Sequence, residues 1–156
     1  MTTATFGAGC FWGVELTFSK LPGVSATRVG YMGGNTDAPN YQAVCTGDTY
    51  HAEVVEVSFD SARLDYDALL TTFFNCHDAT QLNRQGPDRG TQYRSAIFVH
   101  DDEQRTQAQA RIDELNRQQN GDQPIVTSVE PASQFWVAED YHQKYLEKRG
   151  ASSCGL

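Results

Sequence analysis

Apolar and polar residues alternate most cleanly over His51 to Asp60, HAEVVEVSFD. Glu53, Val55, Val57 and Phe59 share one face of the strand this predicts, and Ala52, Val54, Glu56 and Ser58 the other. Strands are also predicted over Thr3 to Ala8, Val24 to Tyr31, Ser95 to His100 and Ile125 to Glu130. Helical spacing of Trp12, Glu15, Leu16 and Ser19 predicts a helix from Phe11 to Lys20, stopped by Pro22-Gly23. A second helix, capped by Asp65 and running to about Cys76, carries Tyr66, Leu69, Leu70, Phe73 and His77 on one stripe. A third starts at Asp101, with Gln104 placed as in a capping box, and Gly121 can end it. Ala138 to Lys148 reads as a final helix. The polar stretches Asn35 to Tyr50 and Asp78 to Tyr93 read as long surface loops, a kind of segment that is often functional.

The element order is β-α-β-β-α-β, followed by a helix, a strand and a helix. This predicts an α+β fold, a ferredoxin-like split β-α-β two-layer sandwich with an extra C-terminal helix and a mobile tail. With 156 residues, 39% of them hydrophobic, one core is expected: a single catalytic domain over 1–148 and a flexible tail over 149–156. The formal charge of −8 argues against nucleic acid as a partner, since phosphate neutralisation needs a basic face. No apolar run has transmembrane length, no basic amphipathic stretch suggests a membrane surface, and MTTATFGAG lacks the features of a signal peptide. The expectation is a cytoplasmic monomer whose four cysteines, Cys10, Cys45, Cys76 and Cys154, are reduced at rest. None forms a C-x-x-C pair, so each is a buried bystander or a redox-active thiol.

Cys10 stands in FGAGCFWGVE, between small residues and two large rings. A thiol beginning a helix lies near unsatisfied N–H groups and the positive end of the helix dipole, both of which favour thiolate. A buried structural cysteine fits the position equally well. Phe11 and Trp12 lie roughly 100° apart around a helix, so both cannot join one core stripe, and at least one sits beside the thiol or at the surface. Glu53 shares a face with Val55, Val57 and Phe59. Desolvation there raises a carboxyl pKa and suits a general acid near neutral pH, unless the strand end frays and the side chain meets water. Tyr41, Asp88 and Tyr93 sit in or beside the two polar loops, where they can bond a ligand or simply pack. His51, His77, His100 and His142 match no metal-ligand spacing with the cysteines, so no metal is expected. Cys154 stands six residues beyond Lys148 in RGASSCGL, a reach of up to about 20 Å when extended, and can serve as a second thiol that captures a sulfenic acid.

The segments GCFWGVE, VGYMGG, YQAVCTGDTYHAEVVEVSFD, RQGPDRGTQYRSAIF and AEDYHQKYL, in this order from about Phe6 to Leu146, resemble the A-type peptide-methionine sulfoxide reductases. The resemblance implies that Cys10 attacks the sulfoxide sulfur and that Phe11 and Trp12 bind the substrate's S-methyl group. It implies that Glu53 protonates the sulfoxide oxygen, with Tyr41, Asp88 and Tyr93 bonding that oxygen or a water. It further implies action on the S epimer, free or in proteins, and a Cys10 sulfenic acid that is recycled through Cys154 and thioredoxin with no other cofactor. Cys45 and Cys76 are alternative recycling thiols, Cys76 reading more as packing.

A neutral Glu53 and an ionised Cys10 would then have to coexist, the strand face supplying the first and the helix N-terminus the second. Two positions depart from the family pattern. Tyr50 stands where glycine is usual, so it either narrows the site or meets a positive φ, and Pro87 stands where asparagine is common. A cysteine hydrolase or peroxidase, or a non-catalytic thiol switch built on Cys10 and Cys154, are the rival readings of the residues alone.

Overall fold

The computed structural model describes residues 2–118 and 123–150. Strand β1 (Thr2–Ala8) leads into helix α1 (Phe11–Ser19), strand β2 (Val24–Met32), a short helix α2 (Tyr41–Cys45) and strand β3 (Ala52–Phe59). Helix α3 (Tyr66–Asn75) is followed by a small hairpin, β4 (Arg84–Gln85) with β5 (Asp88–Arg89), and a 3-10 turn over Thr91–Tyr93. Strand β6 (Ser95–Val99), helix α4 (Asp102–Gln118), strands β7 (Ser128–Pro131) and β8 (Trp136–Val137), a 3-10 turn over Asp140–His142 and helix α5 (Tyr145–Lys148) complete the order.

Six strands form one sheet in the order β7-β6-β1-β3-β2-β8. Every neighbouring pair is antiparallel except β6 with β7, which is parallel. The sheet is therefore mixed, with helices packed against it. Alternation along the strands divides its two faces. Ala4, Phe6, Ala8, Val29, Tyr31, Val55, Val57, Phe59, Ile97 and Val99 form the main core with Phe11, Val14 and Phe18 of α1 and Leu69, Leu70 and Phe73 of α3. Each fully buried leucine or phenylalanine of that layer contributes about 1.5–3 kcal/mol of transfer free energy. The opposite face carries a smaller cluster, Met32, Ala52, Val54, Ala96 and Phe98, covered by Ala132 and Phe135.

Several elements differ from the expectation. The segment 35–50 is not all loop: Asn40 caps α2 by accepting from Ala43 N–H at 2.8 Å. The second polar stretch holds the β4–β5 hairpin. The strand expected over 125–130 pairs only from Ser128. The expected final helix over 138–148 is broken, because its polar side chains are used elsewhere. Gln143 bonds the backbone of Val29 on the edge of β2, and Lys144 takes a left-handed φ of 56°. Helical spacing in that segment is incidental to these long-range contacts. Asp101 does accept from Gln104 N–H at 2.8 Å and caps α4, but Gly121 lies outside the described residues. Arg149 and Gly150 are described; the remainder of the expected tail, including Cys154, lies outside the described residues. Among the described residues no helix is long and apolar enough to cross a membrane.

Candidate active site

The turn from β1 into α1 places Cys10. Gly9 takes φ +95°, and a Cβ there would fall 2.9 Å from Gln85, so only glycine permits both the turn and the approach of the β4–β5 hairpin. Cys10 is the N-cap residue of α1 and is half-buried. The first orphan N–H of that helix, on Phe11, donates to Glu53 Oε1 at 3.2 Å. Glu53 is 1% exposed, beside Tyr31 in the β2–β3 register, and its buried Oε2 has no partner. The strand end does not fray, and the apolar face keeps the carboxyl from water.

Electrostatics follow from this burial. Desolvation raises Glu53 to about 8, against the opposing pull of the Phe11 N–H and reinforced by Asp88. Cys10 is pushed up to about 12, first by burial and then by the neighbouring Glu53 charge, with the Trp12 backbone N–H pulling the other way. This corrects the expectation of a resting thiolate. The helix N-terminus does not prevail, because its leading N–H is engaged by Glu53 and the sulfur is largely withdrawn from water. At neutral pH both groups hold their protons.

Three further side chains converge on Glu53. Tyr41 opens α2, and burial followed by the Glu53 charge pushes its phenol upward. Tyr93 closes the 3-10 turn and is pushed up by the same two causes. The hydroxyls of both reach the exposed Cys45 thiol, itself raised by burial. Gln92 ties the two segments together, donating to Cys45 O at 3.4 Å. Asp88 begins β5 and acts on both Glu53 and Cys10. Its hairpin is held by Gln85, which bonds both the N–H and the carbonyl of Asp78. Arg94 donates to the carbonyls of Tyr50 and Thr91 and pairs with Glu130 at 3.3 Å, joining the approach to Glu53 with the approach to Tyr93.

The two rings after Cys10 part company. Phe11 turns into the core, against Tyr31, Tyr41 and His142. Trp12 is half-buried and, with Cys10, Gln85, Pro87 and Asp88, lines a cleft of about 360 Å³. Cys76 lines the same cleft, its thiol donating to Phe73 O at 3.3 Å. Tyr50 does meet the positive φ, at +57°, and its ring is 58% exposed instead of filling the site.

Sequence reasoning missed two neighbours. Glu139 accepts from Tyr31 Oη–H at 2.9 Å and from Tyr41 N–H at 3.0 Å. Burial pushes its carboxyl up, but these donors outweigh it and leave the group lowered. His142 is buried against Tyr41, Phe11 and Tyr141 and accepts from Trp12 Nε1–H at 2.9 Å. Both belong to AEDYHQKYL, whose apparent helical pattern masked their inward roles. Of the other histidines, His77 bonds Phe73 O and Ser95 and is lowered to about 4 by burial, His100 bonds Thr5, and His51 bonds Gly34 N and Thr36 O. Among the described residues no three metal-ligating groups gather.

A cysteine at a helix start, facing a proton-bearing buried carboxyl and two phenols, defines a thiol site with its own acid on a mixed α/β scaffold. A sequence model described as peptide methionine sulfoxide reductase matches residues 2–156. The peptide methionine sulfoxide reductase MsrA of Acidobacterium capsulatum is 58% identical over 156 residues, covering 100% of each chain. That of Methanoculleus marisnigri is 56% identical over 151 residues, 97% of this chain and 92% of its own. Among solved structures, reduced Mxr1 from Saccharomyces cerevisiae superposes with a TM-score of 0.89 at 37% identity, covering 99% of this chain and 89% of its own. Methionine sulfoxide reductase A of Corynebacterium diphtheriae gives 0.84 at 38% identity, covering 98% and 77%. The chain belongs to the peptide methionine sulfoxide reductase family, a family of oxidoreductases.

Proposed function

We propose that Cys10 is the nucleophile and Glu53 the acid in the reduction of methionine sulfoxide, the reaction that family membership assigns to this enzyme. The observation that carries the assignment is Glu53: a carboxyl buried on an apolar face, protonated below about 8, beside a cysteine at a helix start.

The Cys10 sulfur forms a bond to the sulfoxide sulfur while Glu53 passes its proton to the sulfoxide oxygen. The thiol proton restores the Glu53 carboxyl. The sulfur–sulfur bond then breaks as the hydroxyl passes from the substrate sulfur to the Cys10 sulfur, so that methionine leaves reduced by two electrons and Cys10 is left as the sulfenic acid, oxidised by two. A resting pKa near 12 is compatible with this order. The sulfoxide sulfur becomes more positive as its oxygen is protonated, so thiolate character develops during attack, helped by the Trp12 N–H. Tyr41 and Tyr93 stay protonated and can donate to the oxygen, and Asp88 raises the acidity threshold of Glu53. Trp12 supplies an apolar wall for the S-methyl group, and Phe11 lies in the core against the Tyr41 and His142 rings that Trp12 also meets.

The remaining steps rest on the family resemblance: selectivity for the S epimer, free or peptide-bound; condensation of the sulfenic acid with Cys154 to a disulfide and water; and reduction of that disulfide by thioredoxin. We read the chain as a cytoplasmic monomer with one catalytic domain over 1–148 and no bound cofactor. We also read the architecture as ferredoxin-like; the antiparallel order β6-β1-β3-β2 supports it. The test incubates the protein with both epimers of methionine sulfoxide and dithiothreitol. Stereoselective loss of the S epimer, absent in Cys10→Ser, is expected. Equal loss of both epimers, or activity in Cys10→Ser, contradicts the reading.

A further inference from the structure

We infer that His142 is a positioning residue for substrate binding: its Nδ1 fixes which edge of the Trp12 indole faces the cleft, and so shapes the wall that receives the sulfoxide's methyl group. The inference rests on the functional reading of Trp12 given above.

Trp12 is held from two directions. Tyr145 stacks on its face, with ring centroids 3.9 Å apart and planes within 12°. Stacking sets the plane of the indole, but a half-turn about χ2 keeps that plane and exchanges the two edges of the ring. The bond from Trp12 Nε1–H to His142 Nδ1, at 2.9 Å, is made in only one of these two arrangements and selects it. Trp12 and Cys10 line one cleft, so the bond decides which edge of the ring is offered there.

The tautomer strengthens the point. An Nδ1 that accepts leaves the proton of neutral imidazole on Nε2. His142 is 0% exposed, burial lowers its pKa and keeps it neutral, and Nε2 has no partner. A buried N–H without an acceptor is destabilising. Packed against Phe11, Tyr41 and Tyr141, a phenylalanine would suit this pocket better for stability alone. The histidine is explained by what Nδ1 does for Trp12, a local loss of stability accepted at a functional site.

The test compares His142→Phe, which removes the acceptor, with His142→Asn, whose Oδ1 stands close to where Nδ1 stands. Single-turnover rates against methionine sulfoxide concentration separate binding from chemistry, with no contribution from recycling. His142→Phe is expected to raise the half-saturating concentration roughly five- to ten-fold, the loss of about one hydrogen bond, while the maximal rate stays within about two-fold. His142→Asn is expected to recover most of the affinity. An unchanged half-saturating concentration in His142→Phe, or a collapse of the maximal rate instead, overturns the inference. Should His142→Phe fail to fold, nitrogen NMR of the wild-type protein decides. A coupling across the bond between Trp12 Nε1 and an Nε2-protonated His142 is expected, with Trp136 as reference, and an Nδ1-protonated ring overturns the inference. Activity in Cys10→Ser would instead remove the functional reading, and would leave the indole bond and tautomer as they are.

Discussion

Phe11 N–H donates to Glu53 Oε1 at 3.2 Å, while the buried Oε2 of the same carboxyl has no partner. One oxygen therefore anchors the start of α1 to β3, and the other is the natural place for a proton. The pairing ties the acid we propose to the helix that begins at Cys10.

Glu53 accordingly sets the pH dependence. If it is the proton donor we propose, its protonated form is the active one, and the single-turnover rate should fall as pH rises through about 8. Glu53→Gln has no proton to transfer and should lose about 10²–10⁴ in rate, together with that limb of the profile. The stability sign is opposite to that of a salt-bridged carboxylate. Because the folded pKa lies above the ordinary value of 4.5, the fold is favoured while the group is protonated, and stability is lost as pH rises from about 4.5 to about 8. Urea melts should show Glu53→Gln gaining on the wild type across this window, by roughly 3–5 kcal/mol at most.

Tyr50 tests the departure from the family's glycine. Its φ of +57° is strained for a side chain with a Cβ, and its exposed ring gains little contact in return. Tyr50→Gly should raise stability by about 0.5–1 kcal/mol, the relief of left-handed strain less the added chain entropy. Tyr50→Val should lower stability, as read by thermal melts.

Glu139 holds Tyr41 through its backbone. Glu139→Ala leaves Tyr41 N–H and Tyr31 Oη–H without their acceptor and should cost about 1–3 kcal/mol in urea melts. The maximal single-turnover rate should fall as well, since α2 loses its tie. Glu139→Gln keeps one acceptor oxygen and should fall between.

Lys144 supports the same segment from the other side. Its Nζ lies 3.0 Å from Oε2 of Glu15, which is 1% exposed, and its N–H donates to Glu15 Oε1 at 2.7 Å. Lys144→Met keeps the backbone bond and that of Thr27 but leaves the buried carboxylate without a counter-charge. A loss of about 2–4 kcal/mol in urea melts is expected.

How much of this could be read from the chain depends on the range of the interactions. Strands β1, β2, β3 and β6 and helices α1 and α3 were legible because local period and burial agree there. Glu53 was legible for the same reason: alternation puts it on the apolar face whatever the fold. The segment Ala138–Lys148 was not, because its residues bond to partners more than a hundred positions away, as Gln143 to Val29 and His142 to Trp12. Spacing carries no trace of such partners. The state of Cys10 was legible only in part: its place at a helix start followed from the glycines, but its burial and the Glu53 charge are tertiary facts. Tyr50 was legible as a departure, yet which of its two consequences held required the backbone.

The central claim is that Cys10 takes the sulfoxide oxygen. Cys154→Ser protein, given one equivalent of methionine sulfoxide without reductant and then a sulfenic-acid trap, tests it directly by mass spectrometry. The account predicts one equivalent of methionine and a trap adduct on the Cys10 peptide, with neither formed when Cys10→Ser is added. Methionine formed together with an adduct on Cys45 or Cys76, and none on Cys10, would contradict it.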